Sequence, residues 1–116
     1  MKAIVFDLDE TLGHFAEVGQ LYTVLSKTQV IAQPLFNEFL NLYPFILRPN
    51  ILVVLSYIAE YKKQNHCAVI IYTNNTGSTD WVYKIAAYLE FKIGEKLFDY
   101  VIPGYKPTDC NRTTYY

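Results

Sequence analysis

Asp7 and Asp9 place two carboxylates two residues apart in the hexapeptide Asp7-Leu8-Asp9-Glu10-Thr11-Leu12, directly behind the apolar run Ala3-Ile4-Val5-Phe6. On an extended backbone rising about 3.3 Å per residue, their Cα atoms lie roughly 6 to 7 Å apart, and a bend at the strand end brings both acids to one phosphate. That spacing suits phosphoryl transfer, which needs an attacking oxygen on one side of phosphorus and a proton for the leaving oxygen on the other. Asp7 is the expected nucleophile, forming an aspartyl-phosphate, and Asp9 the expected general acid and later base. The competing reading is structural: an acidic turn, or an N-cap for a following helix, where Asp and Thr are both favoured. The position of the acids behind a β-rich run weighs for chemistry.

Three further residues extend the expected site. Ala68 to Tyr72 is a second apolar run with β-branched Val69, Ile70 and Ile71 at its centre, and it ends in Thr73 and Asn74. In a parallel sheet Thr73 emerges beside Asp7, where its hydroxyl and the Asn74 amide can donate to phosphate oxygens. A helix starting near Ser78 adds its positive end to the same neighbourhood. Taken alone, Thr73 reads as a strand-ending turn residue, and its place after a buried strand reverses that preference. Lys106 follows a third strand by a short loop and could neutralise phosphate and nucleophile; the alternative is a solvated loop lysine. Arg112 is a weaker substitute. His14 is close enough to the acids to touch the site but reads rather as a turn-stabilising or exposed histidine; His66, between a helix and a strand, reads as exposed, and Trp81 reads as core.

The elements that must position these groups follow from hydrophobic spacing. Residues 3–6 are a first strand. Residues 13–47 form an insertion, helical over 18–27 and again over 34–43, where Leu35, Phe36, Phe39 and Leu40 share a face. Arg48-Pro49 marks a break, with Pro49 expected in the first turn of a helix. That helix carries Ile51, Val54, Leu55 and Ile58 and ends after Lys62 and Lys63, cations that favour a helix C-terminus. A strand over 68–72 comes next, then a helix capped by Ser78 with Trp81, Val82, Ile85, Ala86 and Leu89 facing inward to about Phe91, and a third strand over 98–102. Alternating strands and helices predict an α/β, Rossmann-like fold with a parallel sheet and right-handed crossovers. Ligands in such sheets bind beyond the carboxyl ends of the strands.

Composition bounds the alternatives. At 116 residues, 52% hydrophobic and 18% charged, the chain reads as one compact globular domain spanning 1–116. Its net charge of −1 gives no electrostatic case for nucleic acid. Asp7 and Asp9 interrupt the first apolar stretch at once, which argues against a signal peptide, and no run approaches the length of a membrane span. Cys67 and Cys110 read as free thiols, which points to a reducing, intracellular compartment. The 11 tyrosines and seven phenylalanines read as core or half-buried residues.

With these residues in view, the chain resembles the haloacid dehalogenase-like phosphatases. Their first motif, D-x-D-x-T/V-L, corresponds to Asp7-Leu8-Asp9-Glu10-Thr11-Leu12, and their second, an apolar strand ending in Thr or Ser, to Ile70-Ile71-Tyr72-Thr73. Within that group it is most similar to the polymerase-tail (CTD) phosphatase-like branch, through Asp7 to His14, Leu47-Arg48-Pro49 before a helix, and Tyr72-Thr73 after it; divergent copies in large DNA viruses are similar too. The resemblance spans nearly the whole chain. It implies Mg²⁺ held by the Asp7 carboxylate, the Asp9 backbone carbonyl and waters, with Thr11 in support. It implies a phosphorylated protein or small phosphomonoester as substrate, and a third-motif lysine that Lys106 could supply. The family's fourth motif, an acidic pair after a further strand, is not found. The resemblance therefore implies a fold incomplete at its C-terminus, with residues 3–6 left as an apolar edge open to self-association.

Two readings from other classes stand beside this one. A noncatalytic phosphate-binding or interaction module accounts for the missing acidic pair. A signalling receiver domain also uses acids, Thr and Lys around a parallel sheet, but it wants its phosphorylated Asp at the end of a middle strand, where this chain has Thr73.

Overall fold

The computed structural model describes residues 2–73 and 79–102. Their order is β1 (Lys2–Phe6), α1 (Ala16–Ser26), α2 (Gln33–Asn41), one 3-10 turn (Pro44–Ile46), α3 (Ile51–Gln64), β2 (Cys67–Tyr72), α4 (Thr79–Ile93) and β3 (Tyr100–Ile102). The strands pair in parallel in the order β1-β2-β3. This is the expected mixed α/β architecture, compatible with a Rossmann-like fold. Ser78, Cys110 and Arg112 lie outside the described residues.

β2 is the middle strand among the described residues, and its apolar run fits that place: Val69 and Ile71 are fully buried. The register pairs Phe6 with Ile71, so Asp7 leaves β1 where β2 is ending. β3 begins later than its sequence pattern suggests, because Phe98 and Asp99 are engaged in other ways. Phe98 is buried in the core. The Asp99 carboxylate accepts from the Val69 amide (2.8 Å) and from Lys62 Nζ (2.6 Å), while Asp99 N donates to Val69 O (2.7 Å). Desolvation raises the Asp99 pKa, but the bonds from Lys62 and Val69 outweigh it and hold the carboxyl below its ordinary value.

All five residues of the α4 stripe, Trp81, Val82, Ile85, Ala86 and Leu89, are buried as predicted. The helix stops at Gly94, whose φ of 81° is the left-handed conformation that glycine tolerates best. Beyond it the Glu90 carboxylate accepts from the amides of Leu97 (2.7 Å) and Phe98 (2.9 Å) and aims the chain into β3.

The insertion supplies α1 and α2 and shares one hydrophobic cluster with the sheet and α4. Trp81 is its junction, with ring centroids 6.4 Å from Phe15, 5.2 Å from Tyr22 and 5.6 Å from Phe36. Polar bonds fasten the same contact: Tyr22 OH donates to Asp80 Oδ2 (3.0 Å) and Tyr88 OH to Asn41 Oδ1 (2.8 Å). Burial, followed by the bond to Asp80, pushes the Tyr22 phenol up to about 12, so it remains a donor across the neutral range.

Three expectations about helix faces and ends need correction. Leu35 is 47% exposed, because α2 buries Phe36, Asn37 and Leu40 and leaves Leu35 on the flank. Pro49 stands outside α3, which begins at Ile51 after Asn50 at φ 64°. The cause is a prior commitment of the chain: Arg48 N donates to Leu12 O (3.1 Å), so the backbone must turn before a helix can start, and Ile51 N closes that turn on Arg48 O (3.1 Å). Val54 is 44% exposed, since the buried row of α3 is Ile51, Leu55 and Ala59, with Ile58 only half-buried.

Among the described residues β1 has a strand neighbour on one side only, and Val5 on it is 59% exposed. Cys67 is a buried free thiol. No helix of the described residues is long and apolar enough to cross a membrane.

Candidate active site

The loop after β1 is built from the inside outwards. Leu8 and Leu12 are fully buried and pin its two ends in the core, while Asp7, Glu10 and Thr11 are exposed and Asp9 is half-buried. Between the anchors the chain reverses: Glu10 N donates to Gly13 O (2.7 Å) and Leu12 N to Leu8 O (3.1 Å). Glu10 takes φ 65° to do so, a conformation that costs a non-glycine residue on the order of 1–3 kcal/mol and persists only where its surroundings enforce it. Gly13 is required by space, since a Cβ there would meet Phe15 Cζ at 2.6 Å and Ile46 O at 2.7 Å. The helix-cap reading of these residues does not hold. α1 starts at Ala16 with Phe15 at its cap and no side-chain cap bond.

Residues 46–48 brace this loop from the far end of the insertion. His14 N donates to Ile46 O (2.7 Å), Gly13 and Leu47 form an antiparallel bridge, and Arg48 N donates to Leu12 O. The Arg48 guanidinium completes the brace by donating from Nε (3.0 Å) and Nη2 (2.6 Å) to the Glu10 carbonyl. In the sequence, Arg48 is legible only as part of a break before a helix. Nothing local marks a bond to a carbonyl so far away along the chain.

Thr73 sits at the carboxyl end of β2, buried to 1% exposure, with its amide donating to Ile102 O (3.1 Å). The topology therefore brings Asp7, Asp9, Thr11 and Thr73 to the same end of the sheet. Asp7 Oδ1 accepts from the Leu8 amide (2.8 Å). Asn74 and Lys106 lie outside the described residues.

His14 is exposed, as expected, and its imidazole Nδ1 faces Glu10 Oε1. The hydrogen bond to Glu10 and then the charge of that carboxylate raise the His14 pKa; desolvation opposes them, and the weaker charges of Glu17 and Asp9 add to the rise. Because the folded value is the higher one, the pair's contribution to stability is fully present below the ordinary histidine pKa. It is lost as pH rises through the folded value. An NMR titration of His14 should show a midpoint above the ordinary value of about 6.5, and Glu10→Gln should lower it. An ordinary midpoint that ignores the substitution would mean the pair does not form in solution.

A cavity of about 310 Å³ opens beside this loop, walled by His14, Val18, Leu21, Tyr43 and Phe45. A larger depression of about 470 Å³ lies among Lys62, His66, Asp99 and Tyr100. It flanks the amino end of β2, opposite to Asp7, and parallel sheets bind ligands at the other end.

Among the described residues no three His, Cys, Asp or Glu side chains converge as a metal-binding group. The donors the loop does offer, the Asp7 carboxylate and the Asp9 carbonyl, are hard oxygens. Mg²⁺ is commonly held by one or two carboxylates with water and phosphate completing the shell, so the donor set fits that ion. No protein-family model, curated protein or solved structure matches the chain.

Proposed function

We propose that the chain is a Mg²⁺-dependent phosphatase of the haloacid dehalogenase-like type, CTD phosphatase-like, or the amino-terminal part of one. The observation that carries this reading is the parallel register of β1 and β2, which sets Asp7 and Asp9 at the end of one strand and Thr73 at the end of its neighbour. The substrate class is a phosphorylated protein side chain or a small phosphomonoester.

In the first half-reaction an Asp7 carboxylate oxygen attacks phosphorus. The bond to the leaving oxygen breaks, and that oxygen takes a proton from Asp9. In the second, Asp9 removes a proton from water as the water attacks the aspartyl-phosphate, and cleavage of the Asp7–phosphorus bond releases phosphate. Thr73 and Asn74 are the proposed donors to the phosphoryl oxygens, Lys106 is the proposed neutralising cation, and Thr11 supports the loop. Asp7 and the Asp9 carbonyl would hold Mg²⁺, which supplies charge neutralisation at the phosphoryl group.

The test is phosphate release from p-nitrophenyl phosphate and from a phosphoserine peptide, with Mg²⁺ and after chelation with EDTA. Release that depends on Mg²⁺ is expected, and its absence with both substrates overturns the enzyme reading. The position of β2 as the middle strand among the described residues, with Thr73 rather than an aspartate directly after it, supports this reading over a signalling receiver.

A further inference from the structure

We infer that Arg48 is a positioning residue of the Asp7–Asp9 site, acting through the backbone of Glu10 to orient the Asp9 carbonyl. For its consequence in catalysis the inference rests on the phosphatase reading. The geometric part stands by itself.

Two peptide groups flank the Glu10 Cα. One is the Asp9–Glu10 unit, whose N–H donates to Gly13 O at 2.7 Å. The other is the Glu10–Thr11 unit, whose carbonyl receives two guanidinium donors from Arg48 at 3.0 and 2.6 Å. Holding both planes fixes the rotations between them, and so maintains the left-handed φ of 65° at Glu10. The Asp9 carbonyl belongs to the first of these planes, so its direction is set by the same two restraints.

The local sequence does not favour this conformation. Glutamate has neither the missing Cβ of glycine nor the short polar side chain with which asparagine stabilises the left-handed region. The Glu10 side chain is turned to His14 instead. A planar fork with fixed donor directions can hold one carbonyl from two nitrogens, which a lysine ammonium does not reproduce. Arg48 is itself held in place, because its amide is bonded to Leu12 and its carbonyl to Ile51. The clamp is thus anchored at both ends before it reaches the loop.

The experiment uses the full chain and its Arg48→Ala variant, with Arg48→Lys in reserve should the alanine variant unfold, and reads amide hydrogen exchange by NMR. Exchange at Glu10 should accelerate by about ten- to hundredfold, the equivalent of one charge-assisted hydrogen bond, while Val69 and Ile71 in β2 keep their protection. Unchanged exchange at Glu10, or equal loss of protection in β2, overturns the inference.

Turnover supplies the second readout. Misplacing the loop should lower kcat by up to about a hundredfold and leave KM little changed. Adding Glu10→Gly to Arg48→Ala should recover part of that loss, because glycine adopts the left-handed turn without a clamp. A double variant no better than Arg48→Ala alone counts against positioning through Glu10. Faster exchange at Glu10 in a protein whose wild type releases no phosphate upholds the geometric inference and overturns only the phosphatase reading.

Discussion

Replacing Asp7 by asparagine should leave the protein folded and, on the proposed phosphatase reading, remove Mg²⁺-dependent phosphate release. The two halves of this expectation come from different observations. Asp7 is exposed, and its bond within the loop is the acceptance of the Leu8 amide by Oδ1 at 2.8 Å. An asparagine carbonyl oxygen can accept the same bond, so the cost to stability should stay within about 0.5 kcal/mol. The chemical consequence is of another order, because a neutral amide cannot open the reaction by forming an acyl phosphate. Asp9→Asn should be less severe, lowering kcat by on the order of 10²- to 10⁴-fold, the usual contribution of a general acid or base. Phosphate release by Asp7→Asn at the wild-type rate would rule out Asp7 as the nucleophile.

Trp81→Ala should be the most destabilising single substitution in the helical layer, by about 3–5 kcal/mol. Trp81 is 4% exposed and touches aromatic rings from the entry to α1, from α1 and from α2. Its loss opens a cavity where the insertion meets α4, and it strips Phe15 and Phe36 of an edge-on partner and Tyr22 of a tilted one. Domains of this kind are stable by only about 5–15 kcal/mol, so the variant should lose a large fraction of its stability and unfold at a much lower urea concentration. Trp81 is the single tryptophan of the chain, and urea unfolding must therefore be followed by circular dichroism. Leu35→Ala, on the exposed flank of α2, serves as the control and should shift the midpoint little. Equal midpoints for the two variants would show that the aromatic junction does not bear the load assigned to it.

These two residues also show what could be read without coordinates. The place of Asp7 at the exit of a strand was legible because acids break the apolar run abruptly, and the burial of Trp81 because it falls in register with Val82, Ile85 and Leu89 on a strong inward stripe. Leu35 and Val54 were misread for a shared reason. Both helices, α2 and α3, bury a narrow row, and periodicity marks apolar residues without saying how wide a face the neighbouring layer covers. Ala59 lies in that row, yet its small side chain gives a weak apolar signal. Arg48 was harder still. Its role depends on a carbonyl in a turn 38 residues earlier, and a backbone acceptor leaves no mark on the composition of either segment. Pro49 was misplaced by the same contact, since its position before the helix follows from where Arg48 is held.

The pairing of Lys2 with Cys67 across β1 and β2 also governs when the proposed site can assemble. No stretch of chain ending before Cys67 can hold the acids and the threonine together, although it already carries the acids, the insertion and the arginine clamp. Closing so long a loop is entropically costly and slow compared with forming the intervening helices. The helices should therefore gain protection first in a refolding experiment, and the amides of Val69 and Ile71 in β2 only with the late phase in which the two strands dock; any phosphate release, on the proposed reading, should appear with that phase.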